Sequence, residues 1–256
     1  MMITNQRLVE RNFENKMSVF SDVVEGRFAS NTDFAVANTG IPTDIFNTLL
    51  IKTGNSEDLF AIRQEITLFK EKACPFSVWL DMEHLNAKWI DFLQEYNLHE
   101  AERNVMMKRE NTLHVENKAV NKLEISQVEN NEMLAKYIDV FISLFAGTTE
   151  ESALESYFQQ FSQKKLGPEV QMFVGCIDDQ AVTTGLLIES EETYGIYDVM
   201  TKESFRGKGL GSEMFQFLLS QTKDKEKPVV LQASDDGKNI YKRYGFVDVG
   251  EMVVFE

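Results

Sequence analysis

The sequence contains little cysteine and little histidine. Cys74 and Cys176 are the two cysteines among 256 residues, which is too few for a disulfide framework and favours a reduced, cytoplasmic protein. The three histidines, His84, His99 and His114, stand apart from one another and from both cysteines, so no metal site is predicted. The sequence also lacks Gly-x-Ser-x-Gly, and a hydrolase nucleophile elbow is therefore not indicated.

Positive charge and long apolar runs are also scarce. Lys and Arg number 26 against 41 Asp and Glu, which gives a net charge of −15. Because phosphate backbones are held by Lys and Arg, this deficit argues against a nucleic-acid-binding protein. No apolar run approaches the roughly 18–20 residues that span a bilayer, and residues 1–10 lack the apolar core of a secretion signal. With 43% hydrophobic residues, the chain can still bury a core.

The chain has room for one large domain or two modest ones, and its composition favours two. Only three of the 14 glycines precede residue 119, and a short polar stretch over 110–122 predicts a connector between packed domains. We therefore predict domains over 1–115 and 116–256. Because glycine allows close approach of backbone to a ligand, the second domain is the first place to look for a site.

Alternating strand and helix patterns in both parts predict a mixed α/β fold of the α+β class. In the first part we predict strands over 34–37, 48–51, 76–80 and 104–108, and helices over 56–69 and 85–96. In the second part we predict strands over 123–128, 170–177, 181–189, 194–201, 229–233 and 246–255. Helices are predicted there over 130–145 and 149–164, from the glycine-rich turn to 222, and over 237–244.

The most informative segment is Arg206-Gly-Lys-Gly-Leu-Gly211, which follows a predicted strand and opens a helix. N–H groups in the first turn of a helix are unpaired and can bind an anion, and Lys202, Arg206 and Lys208 supply positive charge beside them. A dinucleotide fingerprint would need glycine where Ser212 stands, and the nucleotide P-loop pattern also fails. The alternative is an ordinary glycine-rich turn without a ligand.

A second segment makes that alternative less attractive. The strand Val229–Ser234 is followed by Tyr241 and, after Tyr244, by Gly245-Phe246. Together the two segments resemble the GCN5-related N-acetyltransferase (GNAT) superfamily. Its Arg/Gln-x-x-Gly-x-Gly/Ala element matches Arg206, Gly209 and Gly211, and its Tyr-x-x-hydrophobic-Gly-Phe ending starts at Tyr241, with Tyr244 at the hydrophobic position.

The first part resembles the degenerate N-terminal half of tandem GNAT proteins, on residues 45–47, 75–79 and 106–108. It has no counterpart of the Arg206 motif, so we do not expect it to bind coenzyme A in that way. The resemblance thus implies two GNAT-like domains, each with a central mixed, mostly antiparallel sheet flanked by helices. It also implies that two parallel strands splay apart in the C-terminal, catalytic domain.

The resemblance further implies that acetyl-coenzyme A (acetyl-CoA) binds between the splayed strands and supplies the acetyl group. The residues that it assigns to this ligand are Val199, Met200, Thr201, Arg206, Gly207, Lys208, Gly209, Leu210, Gly211, Ser212 and Ser234. The backbone of residues 199–201 would pair with the pantetheine arm, the Val199 N–H would polarise the thioester carbonyl, and residues 207–212 would hold the pyrophosphate. Ser234 is equally interpretable as a strand-end cap.

Chemistry in this family is direct attack of an amine on the thioester, and Tyr241 stands where the family commonly places the acid that protonates the departing thiolate. Packing against the cofactor is the alternative role for Tyr241. Asp198 is the first candidate for the general base, and a water chain ending on Glu189 is the second. The resemblance does not identify the acceptor.

The sequence thus predicts an acetyl-CoA-dependent N-acetyltransferase that acts on a primary amine, of a small molecule in the first instance. The alternatives are a protein or peptide N-acetyltransferase and a non-catalytic acyl-CoA-binding sensor. The predicted partners are acetyl-CoA and the acceptor, without metal, nucleic acid or membrane. A homodimer stays open, since nothing in the sequence sets the oligomeric state.

Overall fold

The structure is a computed structural model that describes residues 4–55, 59–112, 122–161, 166–222, 224, 226–234 and 237–256. By the density of contacts the chain divides into two compact units. The first unit comprises Met1–Met107, Gln232–Lys238 and Asp248–Glu256, and the second comprises Lys108–Leu231 and Asn239–Val247. The domain boundary predicted at 115/116 lies outside the described residues and stays a prediction. Ser56 also lies outside them, but the helix predicted to start there begins only at Phe60, with Leu59 as its N-cap residue.

The first unit is a six-stranded sheet with three helices. Its helices are α1 (Asn5–Val23), α2 (Phe60–Glu71) and α3 (Ala87–Gln94), and its strands are β1 (Arg27–Ser30), β2 (Phe34–Asn38), β3 (Thr48–Ile51), β4 (Ser77–Asp81), β5 (Glu100–Arg109) and β11 (Val247–Phe255). The strand order is β1-β2-β3-β4-β11-β5. In this sheet β3 and β4 are parallel, whereas β11 is antiparallel to β4.

The core of the first unit follows the apolar patterns of the sequence. Ile62, Ile66 and Phe69 of α2 and Trp89 and Phe92 of α3 are buried in one cluster, as their helical spacing predicts. Strand β11 contributes Val253 and Phe255 to the same cluster. The last predicted strand therefore completes the core of the first unit, a pairing of distant segments that local patterns do not specify.

Helix α1 and strand β1 were not predicted. Thr4 caps the helix by accepting a hydrogen bond from the Arg7 N–H at 3.3 Å, which satisfies one of the free donors of the first turn. Val9, Phe13, Met17 and Phe20 are buried along one face of α1. Their spacing was a usable helical signal.

The second unit contains the other strands and helices. They are β6 (Glu124–Gln127), α4 (Asn131–Ser143), α5 (Glu151–Phe161), β7 (Val170–Ile177), β8 (Gln180–Glu189), β9 (Tyr194–Tyr197), a 3-10 turn (Glu203–Phe205), α6 (Leu210–Gln221), β10 (Val229–Ser234) and α7 (Lys238–Lys242). The strand order is β10-β9-β8-β7-β6. Neighbours from β6 to β9 are antiparallel, and β10 runs parallel to β9. The predicted mixed, mostly antiparallel sheet flanked by helices is confirmed.

The pairing between β9 and β10 is short. It is restricted to Tyr194 with Val229 and Gly195 with Val230, and β10 then continues to Ser234 while β9 ends at Tyr197. The sequence prediction that this strand reaches Thr201 was wrong. It ends early because Asp198 adopts a left-handed backbone conformation, with φ of 50°, which breaks the extended geometry of a strand.

Candidate functional site

A cleft of about 480 Å³ opens in the second unit where β9 ends. Most of the residues that the sequence assigns to a ligand line this cleft. They are Val199, Met200, Thr201, Arg206, Gly207, Gly209, Leu210, Gly211, Ser212 and Tyr241. The structure thus brings together the segment after β9, the glycine-rich turn and the tyrosine of α7, which lie up to forty residues apart in the sequence.

One wall of the cleft is the kinked segment that follows β9. The Met200 N–H donates to the Asp198 carbonyl at 2.9 Å, which closes a tight turn around Val199. Among the described residues, the Val199 N–H has no hydrogen-bond partner. Because an unpaired N–H at a cleft wall is a ready donor, this group can bind an oxygen of a ligand.

The glycine-rich turn forms the second wall and is shaped by left-handed backbone. Gly207 and Gly209 have φ of 74° and 84°, and a Cβ added to either would meet no atom within 4 Å. The space beside this backbone is therefore open to a ligand, and glycine adopts these φ values without steric strain. A Cβ on Gly211 would approach the Thr201 hydroxyl to 3.2 Å, so this glycine allows close packing of the two walls.

Helix α6 begins at the edge of the cleft without a side-chain cap. Gly209 is its N-cap residue and offers no side chain. Among the described residues, the N–H groups of Leu210, Gly211 and Ser212 have no hydrogen-bond acceptor. Three parallel donors and the positive end of the helix dipole thus meet at one point, which is a suitable environment for a phosphate group.

The three basic residues near this turn differ in their contacts. The Lys202 ammonium is paired with the Asp139 carboxylate at 2.6 Å, so its charge is compensated. The Arg206 guanidinium lines the cleft and donates through Nε to the Thr201 carbonyl at 3.1 Å. Lys208 is not among the lining residues; its ammonium donates to the Ser204 carbonyl at 3.0 Å and lies 4.8 Å from the centre of the Phe205 ring.

Tyr241 presents its phenol to the cleft from α7. Its ring packs against Phe215, with ring centres 4.8 Å apart, and burial raises the pKa of the phenol above its ordinary value. Since no partner of its hydroxyl is found among the described residues, the group is a neutral donor available to a ligand. The Tyr244 hydroxyl, in contrast, accepts from Gln216 at 3.2 Å, and its ring also contacts Phe215.

The two candidate bases differ in their surroundings. The Glu189 carboxylate is bound by the Lys227 ammonium at 2.7 Å. The Asp198 carboxylate accepts a hydrogen bond from the buried Tyr137 hydroxyl at 3.3 Å. Burial, and after it the negative charge of Asp198, raises the pKa of the neighbouring phenols Tyr137 and Tyr197. Asp198 is a half-buried residue that directly precedes Val199 in the cleft wall but does not itself line the cleft, and Glu189 is held in an ion pair.

Ser234 ends β10 and makes a local contact. Its hydroxyl accepts a hydrogen bond from the Gly237 N–H at 3.3 Å, and its carbonyl accepts from the same N–H at 3.0 Å. This is the contact that a strand-end cap makes. The assignment of Ser234 to a ligand stays a prediction.

Sequence reasoning missed several apolar residues of the cleft, namely Leu144, Phe205, Phe215 and Ile240. A signal for Phe215 was present, because it stands four residues after Gly211 and so lies on the same face of α6. Leu144 follows α4 directly, and nothing in the local sequence relates it to the glycine-rich turn.

The described ranges contain no cluster of three or more His, Cys, Asp or Glu side chains arranged to hold a metal ion. Among the helices in these ranges, none combines the length and the apolar content needed to cross a bilayer.

The sequence matches the model of one protein family, the acetyltransferase (GNAT) domain, over residues 124–256. This match covers more than half of the chain and contains every residue that lines the cleft. A search of curated proteins finds no relative of this chain.

Solved structures share the fold over nearly the whole chain. A functionally unknown conserved protein from Staphylococcus epidermidis is similar with a TM-score of 0.67 and 18% identity, covering 92% of this chain and 96% of that one. A GCN5-related N-acetyltransferase from Kribbella flavida gives 0.66 and 15%, with 94% of each chain covered. A tandem GNAT protein from the clavulanic acid biosynthesis pathway gives 0.58 and 10%, with 99% and 96% covered. At these identities the likeness concerns the fold alone.

Proposed function

Because the chain belongs to the GNAT acetyltransferases, we propose that it is an acetyl-CoA-dependent N-acetyltransferase that transfers the acetyl group to a primary amine of a small molecule. The observation that carries this proposal is the cleft in the second unit. There an uncapped helix N-terminus, an unpaired N–H and a neutral phenol face one volume. These are the three donors that a pyrophosphate, a thioester carbonyl and a leaving thiolate require.

The residues of the cleft fit acetyl-CoA at its anionic end. The free N–H groups of residues 210–212 would bind pyrophosphate oxygens, and the open space beside Gly207 and Gly209 admits them close to the backbone. Arg206 adds a positive charge at the same place. Binding at this end supplies affinity without touching the reacting atoms, so it holds the thioester in position for attack.

The kinked segment would serve the middle of the ligand and the reacting carbonyl. The short pairing between β9 and β10 leaves the Val199 N–H and C=O and the Thr201 N–H without partners among the described residues. These groups can pair with an extended amide-containing chain as a neighbouring strand would. When bound, acetyl-CoA supplies an activated acyl group on a thiolate leaving group. The Val199 N–H would stabilise the negative charge that develops on the carbonyl oxygen during attack by the amine.

Two proton transfers complete the proposed reaction. Tyr241 would protonate the departing thiolate, and because burial raises its pKa it keeps this proton at neutral pH. Asp198 would accept the proton of the attacking ammonium, directly or through water. The ion pair of Glu189 with Lys227 disfavours Glu189 for that role.

The net charge of −15 favours a cationic acceptor, because an acidic protein concentrates cations near its surface. The proposal is tested with the purified protein, acetyl-CoA and a panel of small primary amines, with free coenzyme A measured by a thiol reagent. We expect coenzyme A release that depends on at least one amine. Binding of acetyl-CoA without release by any amine or peptide would establish the sensor reading instead, and release with peptides alone would establish a peptide N-acetyltransferase.

A further inference from the structure

The backbone kink after β9 is held by two threonine side chains of the neighbouring strand. Regular pairing between β8 and β9 stops at Leu186 opposite Tyr197. Beyond that pair, the Thr184 hydroxyl donates to the Asp198 carbonyl at 2.8 Å, and the Thr183 hydroxyl donates to the Met200 carbonyl at 2.6 Å. Side-chain hydroxyls of β8 thus bind the kinked segment in addition to the main-chain bonds that resume at Thr183 opposite Thr201.

Both threonines are fully buried, with 0% of their surface exposed. Burying a hydroxyl costs free energy unless it is hydrogen-bonded, and here each hydroxyl gives a carbonyl of the kinked segment a second donor. The Thr184 N–H also donates to the Met200 carbonyl, at 3.0 Å. The Met200 carbonyl therefore has two donors from β8, whereas the Asp198 carbonyl has the Thr184 hydroxyl and the Met200 N–H.

The bond from Thr184 to Asp198 fixes the direction of a different group. The Asp198 carbonyl and the Val199 N–H belong to the same peptide unit, and no cis peptide bond is present in the part of the chain that the structure describes. In a trans peptide unit the C=O and the N–H point in opposite directions within one plane. Because Thr184 draws the carbonyl towards β8, the Val199 N–H must point away from β8.

The side of β9 away from β8 is the side of β10, where the pairing ends after two residues. The Val199 N–H therefore points to the side on which β9 and β10 separate, and Val199 is one of the residues that line the cleft. The left-handed conformation of Asp198 (φ 50°) is one that residues other than glycine adopt at a cost, and the bond from Thr184 to its carbonyl helps to hold it.

From this geometry we propose that Thr183 and Thr184 are positioning residues for acyl transfer. Their hydroxyls hold the Asp198–Val199 and Met200–Thr201 peptide units, and Thr184 in particular aims the Val199 N–H at the reacting carbonyl. The inference rests on the proposed function for its chemistry. It adds two residues of β8 that lie outside the cleft and act through the backbone of another strand.

The decisive variant is Thr184→Val, which keeps the shape of the side chain and removes the hydroxyl. We expect kcat to fall by about 10- to 100-fold, since loss of one oxyanion donor costs about 100- to 1,000-fold and misalignment is a partial loss. The Kd of acetyl-CoA changes by less than about threefold, because residues 206–212 carry the anionic end. Thr184→Ser retains the hydroxyl and should restore kcat to within about threefold of the wild-type value.

Thr222→Val is the matched control. Thr222 is also fully buried, and its hydroxyl donates to the Leu219 carbonyl at 2.6 Å, at the far end of α6 from the cleft. This variant should lose stability without loss of kcat. If Thr184→Val does not fold, Thr184→Ala carries the same expectation. Thr183→Val should show a smaller loss of kcat, because the Met200 carbonyl still accepts a hydrogen bond from the Thr184 N–H of β8.

A measurement that needs no turnover separates this inference from the proposed function. The inert methyl-ketone analogue of acetyl-CoA, labelled with ¹³C at its carbonyl, reports hydrogen bonding to that oxygen through its chemical shift. The wild-type protein should move the signal downfield, and Thr184→Val should return it towards the free value. Equal shifts and equal kcat in the wild-type protein and Thr184→Val would overturn the positioning role. Absence of turnover with every amine, together with the expected shifts, would overturn only the catalytic proposal.

Discussion

Each unit of the protein contains a pair of parallel strands, and these two pairs differ at their carboxyl ends. In the first unit, β3 and β4 pair over four residues, from Thr48 with Ser77 to Ile51 with Leu80. In the second unit, β9 and β10 pair over two residues and then separate. Ligands of parallel sheets are commonly bound at the carboxyl ends of the strands. The difference between the two pairs therefore determines which pair has space for a ligand at its carboxyl ends.

The carboxyl end of the first pair is filled by charged side chains of the protein itself. We call this the first-unit polar cluster: Arg7, Glu10, Glu14, Lys52 and Asp81. Glu10 accepts from Arg7 at 2.8 Å, and Lys52 donates to Glu14 at 3.1 Å. Glu10, Lys52 and Asp81 are each buried. The second pair ends instead in bare backbone, with the Val199 N–H and the N–H groups of α6 left for a ligand.

The comparison teaches that a parallel strand pair does not by itself make a ligand site. The second unit adds two features that the first lacks among its described residues: a strand kink held from the side, and an uncapped helix that starts at a left-handed glycine. Each feature can be removed separately, and the expected effects differ in size.

The largest expected effect comes from filling the open space beside the glycine-rich turn. Gly209→Val introduces a side chain where a Cβ now meets open space, and we expect the Kd of acetyl-CoA, measured by titration calorimetry, to rise by at least about 100-fold. Gly40→Val is the control in the first unit, since Gly40 has φ of 71° and equally open surroundings. Both variants carry the same backbone strain. Equal affinities in the two variants would remove the glycine-rich turn from the site.

The next effect concerns the phenol of the second unit. Tyr241→Phe should lower kcat by about 100-fold, in the range of general acid catalysis, with the Kd of acetyl-CoA changed less than about twofold. Tyr244→Phe is the matched control, because its ring packs on the same Phe215, and it should retain kcat. Undiminished kcat in Tyr241→Phe would assign this residue to packing alone.

The pH dependence of kcat sharpens the same test. An acid must be protonated to act, and burial raises the pKa of Tyr241 above its ordinary value of 10. The fraction of active phenol therefore stays high throughout the neutral and mildly alkaline range, and any fall of kcat due to its ionisation lies above about pH 10. A falling limb between pH 7 and 9 that Tyr241→Phe abolishes would contradict the assignment of its pKa.

The smallest expected effect is in the first-unit polar cluster. Burial is the main cause that raises the pKa of Glu10 above its ordinary value of 4.5. The folded state therefore binds the proton more tightly than the unfolded state. The stabilisation from this group is full below about pH 4.5 and is lost as the pH rises through the folded pKa.

Glu10→Gln should flatten this pH dependence and change the free energy of unfolding at pH 7 by only about 1 kcal/mol. Urea denaturation at several pH values between 4.5 and 7.5 measures both quantities. The affinity for acetyl-CoA should not change, since Glu10 belongs to the first-unit polar cluster and does not line the cleft. A weakened affinity would show that the first unit contributes to the site after all.

The sequence predicted the features of the site that depend on residue type. Glycine at 207 and 209 marks backbone that other residues adopt at a cost, and aspartate, present at 178 and 179, is a residue type common in the tight turns that join strands such as β7 and β8. Both residues have positive φ there, and β7 and β8 pair up to that turn, with Ile177 opposite Gln180. The order of strands and helices in the second unit was likewise predictable from apolar spacing.

What the sequence could not reveal depends on contacts between distant segments. Asp198 is a single aspartate within an apolar strand pattern, which is only a weak local signal for left-handed backbone, and its anchor Thr184 lies in another strand. Helix α1 had a signal in Val9, Phe13 and Met17, but the buried polar residues between them obscured it. The position of β11 beside β4 follows from a register that only the folded sheet specifies.

That position of β11 bears on how the protein is made. Residues 247–255 lie between β4 and β5 in the sheet of the first unit, although the rest of that sheet is encoded before residue 110. At about 5–20 residues per second of synthesis, β4 and β5 wait for several seconds with unpaired edges, which are adhesive surfaces. Most of the second unit leaves the ribosome in that interval. The first half of the nascent chain therefore exposes unpaired strand edges until residues 247–255 are made.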